Sequence, residues 1–169
     1  MHTQKQIRYV SSEAETPEDL LWELKRELLS LMASDPKVID TALIVHPHTL
    51  TDFLDFNDFS DSTEGLIKEL ELDGQVQIAT FHPQYQFAGT APDDIENYTN
   101  RSPYPTLQIL RESSVEAALS GYGNPDKIFE KNIQALRKLG IAALEVIGAR
   151  GSSTGNPNAA MTKMSQPFE

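Results

Sequence analysis

The chain has 169 residues, 39% of them hydrophobic, and sets 14 Lys and Arg against 25 Asp and Glu, for a net charge of −11 with His neutral. That length suits one domain burying roughly 68–70% of its unfolded surface, and the acidic balance without any basic run disfavours nucleic-acid binding. The absence of cysteine excludes disulfides, thiolate nucleophiles, Cys-ligated zinc and iron–sulfur clusters.

No stretch approaches the ~18 consecutive apolar residues of a spanning helix, and the N-terminus has no signal-peptide pattern, so no membrane association and a cytoplasmic location are expected. Gln6-Ile7-Arg8-Tyr9-Val10 reads as a first strand. Thr16-Pro17-Glu18-Asp19 then supplies a cap, a first-turn proline and first-turn acids, and Leu20, Leu24, Leu28 and Leu31 form the apolar stripe of a helix that stops before Pro36. Thr41-Ala42-Leu43-Ile44-Val45 is a continuously apolar strand closed by His46-Pro47.

A second helical region covers about residues 49–72, with a break expected near Ser60 to Thr63. There Phe53, Phe56 and Phe59 alternate with Asp52, Asp55 and Asp58, the pattern of an apolar face beside a solvated acid face. A calcium loop starting at Asp55 fails, because Phe59 and Ser60 stand where an oxygen ligand and a glycine are needed. Asp73-Gly74 is a turn, and Val76 to Phe81 is the next strand, again ending in His-Pro at His82-Pro83.

Residues 83–105 form a long irregular stretch whose Tyr85, Phe87, Tyr98 and Tyr104 argue for order. Thr106 to Leu110 is a fourth strand, and Ser113-Ser114-Val115-Glu116 has the spacing of a capping box. A last helix starts at Asn124-Pro125 and ends at Gly140, residues 141–147 fit strand or helix, and 150–169 read as a disordered tail. The alternation predicts an α/β fold. It is a single small domain over residues 1–149, with a largely parallel sheet of about four strands and flanking helices; a ferredoxin-like α+β arrangement is the alternative.

Connectivity then points to a site. If a helix joins the strands ending at His46 and His82, both His-Pro corners lie on the carboxyl edge, where α/β sheets bind ligands. The long loop brings Tyr85, Gln86, Asp94, Asn97, Tyr98, Asn100 and Arg101 to that edge, and Arg111-Glu112 joins them if the fourth strand is parallel too. His46, His82, Asp94, Arg101 and Glu112 are the candidate catalytic residues. Tyr85, Gln86, Asn97, Tyr98, Asn100 and Arg111 are the candidate substrate contacts, and the two arginines suit an anionic small molecule. His46, His48 and His82 are the candidate ligands for a divalent metal such as zinc or manganese, although His46-Pro47-His48 matches no established metal spacing. No phosphate loop, serine-hydrolase elbow or dinucleotide fingerprint is present.

Leu43 to Pro47, Asp52 to Phe59, Gln77 to Phe87 and Asn97 to Leu107 resemble the bacterial family called domain of unknown function 1415, over roughly residues 6–140. The resemblance implies His82, Asp94, Asn97, Asn100, Arg101, Arg111 and Glu112 as pattern residues and implies no substrate. Two features depart from that pattern: the chain lacks an N-terminal Leu-Cys-Pro-Phe segment, and Gln108 stands where a histidine is usual. The expectation is a small-molecule enzyme, hydrolytic or group-transferring on an anionic metabolite, with a non-catalytic metabolite- or protein-binding domain as the alternative. Nothing in the sequence indicates the oligomeric state.

Overall fold

The structure is a computed structural model that describes residues 7–144. Its strands are β1 (Ile7–Ser11), β2 (Thr41–Val45), β3 (Val76–Phe81) and β4 (Thr106–Arg111), and its helices α1 (Pro17–Ala33), α2 (Phe53–Glu69), α3 (Glu112–Tyr122) and α4 (Pro125–Leu139). A short 3-10 helix, Ile95–Asn100, lies in the long loop between β3 and β4. Residues 150–169, expected as a tail, and 145–149, expected to close the domain, lie outside the described residues.

The strands form one mixed sheet in the order β1-β2-β4-β3. β1 pairs parallel with β2, while β4 runs antiparallel to both β2 and β3. β1, β2 and β3 therefore point the same way, as their helical connections require, and β4 returns between the last two. The expected α/β domain of four strands with flanking helices is what forms, but the sheet is mostly antiparallel. The reason is the loop after β3, which contains no crossover helix and brings the chain back down the sheet as β4. Strands β2 and β3, joined by α2 and separated by β4, make the split β-α-β unit that the ferredoxin-like alternative would contain twice.

Strand parity decides which residues meet the helices. Ala42 and Ile44 of β2 lie opposite Ile109 and Leu107 of β4, and all four are buried on the face covered by α1 and α2. Leu20, Leu24, Leu28 and Leu31 of α1 and Phe56, Phe59 and Leu66 of α2 complete this core. Helix α1 starts where the capping sequence places it, with the Thr16 hydroxyl accepting the Asp19 N–H at 3.1 Å.

Two helix details differ from expectation. Helix α2 is unbroken, because the Thr63 hydroxyl donates to the Ser60 carbonyl at 2.8 Å and stays satisfied within the helix. Helix α3 starts at Glu112 without a side-chain cap, and Ser114 instead donates its hydroxyl to the carboxylate of Asp40. Residues 141–144 are helical.

Candidate functional site at the carboxyl edge of the sheet

Because β2 and β3 run in the same direction, His46 and His82 reach the same edge of the sheet. His46 extends the β2–β4 ladder, its N–H donating to the Pro105 carbonyl at 3.0 Å. Parity with Ala42 and Ile44 turns its ring toward α2, where it stacks on Phe56 with centroids 5.7 Å apart. His82 reaches the same Phe56 at 5.0 Å and Phe53 at 5.4 Å. Phe53 continues to Tyr85 at 5.2 Å, and Tyr85 to Phe87 at 5.0 Å, so a chain of rings runs from beneath the sheet edge into the long loop.

Both imidazoles are fully buried, and their hydrogen bonds fix their tautomers. His46 Nδ1–H donates to the Thr49 carbonyl at 3.1 Å. Its Nε2, buried and without a hydrogen-bond partner among the described residues, carries the lone pair. His82 Nε2–H donates to the Leu50 carbonyl at 3.2 Å, and its Nδ1 accepts the Gln84 N–H at 3.1 Å. Burial lowers the pKa of His46 from 6.5 to about 4, with His82 adding to the shift and the Thr49 carbonyl opposing it. Burial also lowers that of His82, against the carbonyls of Leu50 and Thr51 and the charge of Asp52. Two neutral rings therefore grip consecutive carbonyls of the segment His46 to Thr51 from below. Leu50 sits within it at φ +54°, a left-handed conformation costly for a branched side chain, while its side chain fills the core.

The remaining candidate residues organise the long loop. Buried Asn97 accepts the Phe87 N–H at 2.9 Å and the Thr90 hydroxyl at 2.8 Å, and donates to the Ala91 carbonyl at 2.7 Å. Asp94 accepts the Ala91 N–H at 2.8 Å, and Gln86 donates to the Thr90 carbonyl at 2.6 Å. Asn100 donates to the Thr80 carbonyl at 3.0 Å, tying the loop to β3. Arg101 donates from Nε to the Tyr85 carbonyl at 3.2 Å and from Nη2 to the Pro92 carbonyl, and its guanidinium lies 4.4 Å from the centre of the Tyr98 ring.

Three expectations are corrected by position. Arg111 and Glu112 lie at the opposite edge, because β4 is antiparallel and its last residue pairs with the first of β3. There Arg111 donates to the carbonyls of Leu31 and Ser34 and closes the end of α1, a favourable place for a cation at a helix C-terminus. His48 is separate from the buried pair. It is half exposed, with Nε2 3.9 Å from a Glu13 carboxylate oxygen. Among the described residues no group of three or more His, Cys, Asp or Glu is arranged to hold a metal. The proposed ligands His46 and His82 point their N–H groups at carbonyls instead.

The outer surface of the segment gripped by the histidines is the floor of a cleft. Its volume is about 520 Å³, and it is lined by Glu15, Pro17, His48, Thr49, Leu50, Thr51, Asp52, Asp55, Asp58, Phe59 and Ser62. It lies between the loop after β1 and the start of α2, at the edge where three strands end. Asp52 caps α2, accepting the N–H groups of Leu54 and Asp55 at 2.9 and 3.2 Å. Glu15, Asp55 and Asp58 make no ion pair with a Lys or Arg among the described residues. The helix N-termini of α1 and α2 contribute about half a positive charge each. Four carboxylates outweigh that, leaving the cleft acidic.

In sequence Asp52, Asp55 and Asp58 fit a solvated helix face and Glu15 carries no signal, so the cleft is not visible in their pattern. The available signal was that two helix starts, Thr16-Pro17 and Asp52-Phe53, each follow a strand of the same direction and so share one edge.

The fold and site define a single mixed α/β domain with a ligand-sized acidic cleft at the carboxyl edge of its sheet. The family model described as protein of unknown function (DUF1415) matches residues 1–146, and the chain belongs to that family. No curated protein and no solved structure matches the chain. No described helix is long and apolar enough to cross a membrane.

Proposed function

We propose that the protein is a non-catalytic binding domain for a small organic cation, an amine of metabolite size, taken up in the cleft between Glu15 and Asp58. The observation that carries this reading is the composition of the cleft wall: four carboxylates, three hydroxyls and one imidazole, with no Lys or Arg. Carboxylates and hydroxyls accept hydrogen bonds from an ammonium group, and the net charge of −11 raises the local concentration of any cation. An anionic substrate finds no equivalent support, since Arg101 and Arg111 are both engaged by backbone carbonyls.

Acid–base catalysis by the buried histidines is disfavoured for a related reason. His82 has both ring nitrogens occupied, and the free Nε2 of His46 is sealed from solvent. Their contribution to the site is to hold Thr49 and Leu50 in place.

The test is thermal unfolding with 1,4-diaminobutane, magnesium and inorganic phosphate as separate probes. At a diamine concentration of about 100 Kd, native-state binding adds about 2.7 kcal/mol, which for a domain of this size raises Tm by roughly 5–10 °C. Asp55→Asn combined with Asp58→Asn is expected to remove the shift. A shift with phosphate or magnesium but not the diamine, or one retained in the double variant, would refute the reading.

A further inference from the structure

The sheet has two end strands, and the chain treats them differently. The outer edge of β3 is closed from within, because the Val76 N–H donates to the Leu72 carbonyl at 3.3 Å and Thr80 and His82 are both bonded to Asn100. The outer edge of β1 has no such closure. The Ser12 N–H donates to the Val45 carbonyl at 2.8 Å, which fixes the phase of the β1–β2 ladder: Arg8 and Val10 turn their backbone groups to β2, and Ile7, Tyr9 and Ser11 turn theirs outward. The bond from the His46 N–H to the Pro105 carbonyl agrees, since it directs Ala42 and Ile44 to β4 and leaves Thr41, Leu43 and Val45 to bond β1.

All six outward groups, the N–H and carbonyl of Ile7, Tyr9 and Ser11, lack a hydrogen-bond partner among the described residues. No residue of β1 is buried, and Ile7 is 38% exposed. Edge strands ordinarily carry charge, proline or a bulge that discourages pairing. The one charge here, Arg8, is drawn over the face covered by α1, with Nε 2.9 Å from a Glu27 carboxylate oxygen and Nη1 donating to the Ser30 hydroxyl at 3.0 Å.

We infer that β1 pairs with β1 of a second copy of the chain, antiparallel and about a two-fold axis at Tyr9, joining two sheets into one of eight strands. The open groups are self-complementary under that operation. The two Tyr9 residues exchange both their bonds, and Ile7 of each copy exchanges both with Ser11 of the other, so all six groups on each side are satisfied. Helix α1 is what selects a second copy over an arbitrary strand. Arg8 meets Glu27 and Ser30 on one flank of α1, and Lys25 meets Glu69 of α2 on the other, so the flank toward the free edge is that of Glu23, Arg26 and Ser30. Neither Glu23 nor Arg26 forms an ion pair among the described residues. Tyr9 follows Arg8 along β1 and α1 runs the opposite way, so the axis passes near the middle of the helix. It sets Arg26 of each copy toward Glu23 of the other, two opposite-charge pairs related by symmetry.

The test is sedimentation equilibrium from low micromolar to near-millimolar protein, at a salt concentration of about 0.15 M where the Debye length is about 8 Å and the acidic charge of each copy is screened. The wild type is expected to rise from the 18.8 kDa of one chain toward twice that mass, with exchange of the Tyr9 and Ser11 amides slowing in step. Tyr9→Pro removes an N–H that bonds to nothing in the single chain, so it should remain folded by circular dichroism and stay at single-chain mass. Arg26→Glu, which leaves the strand intact, should weaken association about tenfold by setting glutamates against one another. Arg26→Glu with Glu23→Arg should restore it, because each pair is then reversed in sign. Single-chain mass at every wild-type concentration would overturn the inference, as would Tyr9 and Ser11 amides protected at that mass, which would assign the edge to another segment of the same chain. A dimer that Tyr9→Pro leaves intact, or one indifferent to Arg26→Glu or not restored by the reversed pair, would overturn it as well.

Discussion

Acidification probes the buried state of His46 directly. Its pKa is about 4 in the folded protein against an ordinary 6.5, so between those values the unfolded chain binds a proton that the native state refuses. Stability therefore rises with pH across this window and falls as the pH drops through 6.5 toward about 4. A gap of about 2.5, at about 1.4 kcal/mol per pH unit, corresponds to roughly 3 kcal/mol in full and about 2.5 kcal/mol by pH ~4.5. Against a total stability of about 5–15 kcal/mol for a domain, that loss is readily measured. His82, also lowered by burial, acts in the same direction.

The assay is urea unfolding at a series of pH values for the wild type and for His46→Asn. Asparagine keeps an N–H donor in reach of the Thr49 carbonyl but cannot titrate. Carboxylates away from His46 contribute alike to both proteins and cancel in the difference, while His82, which is coupled to His46, keeps its own lowered pKa from burial in both. The variant is expected to be less stable at neutral pH, having lost the stacking on Phe56, and its stability should fall by about 2.5 kcal/mol less than that of wild type between about pH 7.5 and 4.5. Parallel pH dependences in the two proteins, or a His46 resonance titrating near its ordinary value, would refute the account.

The remaining predictions concern the same frame. Long-range proton–nitrogen NMR correlations should show His46 protonated at Nδ1 and His82 at Nε2; the same tautomer for both would contradict the hydrogen bonds that hold Thr49 and Leu50. Asn97→Ala leaves the Phe87 N–H without its partner and the Ala91 carbonyl with the Asp94 N–H alone, and is expected to cost roughly 1–3 kcal/mol, read as faster hydrogen exchange at Phe87 with little change at Ile109. Arg101→Ala should loosen the loop by the same readout, leaving diamine binding unchanged because Arg101 does not line the cleft. Glu71 occupies the left-handed position of a Schellman motif at φ +56°, with the Leu72 N–H bonded to the Ile67 carbonyl at 3.0 Å; Glu71→Gly should therefore raise stability by about 1 kcal/mol in urea unfolding.

The sequence was most informative where a segment is buried on both sides or closed by proline. Thr41–Val45 and Val76–Phe81 are strands with the bounds that their apolar runs and His-Pro corners indicate. The convergence of His46 and His82 was also legible, because a helix between two strands forces them to run the same way. The direction of β4 was not. A long connection with no crossover helix gives no periodicity by which to tell a return from a crossing, and that single ambiguity carried Arg111 and Glu112 to the wrong edge.

The role of the histidines was hidden by a different limit. Spacing gives the face on which a ring lies, and counting by twos from Ala42 and Ile44 already sends His46 inward. It does not say which carbonyl the ring will meet, and that is set by the local path of Thr49 and Leu50, including a left-handed residue no pattern announces. The cleft followed from the same loop, since its floor is the outer surface of the backbone that the rings grip from below. Exposed Asp55 and Asp58 look alike in sequence whether water or a ligand neutralises them. What separates the cases is concavity, which arises only once the ends of β1 and β2 bring Glu15 and Thr49 to face α2.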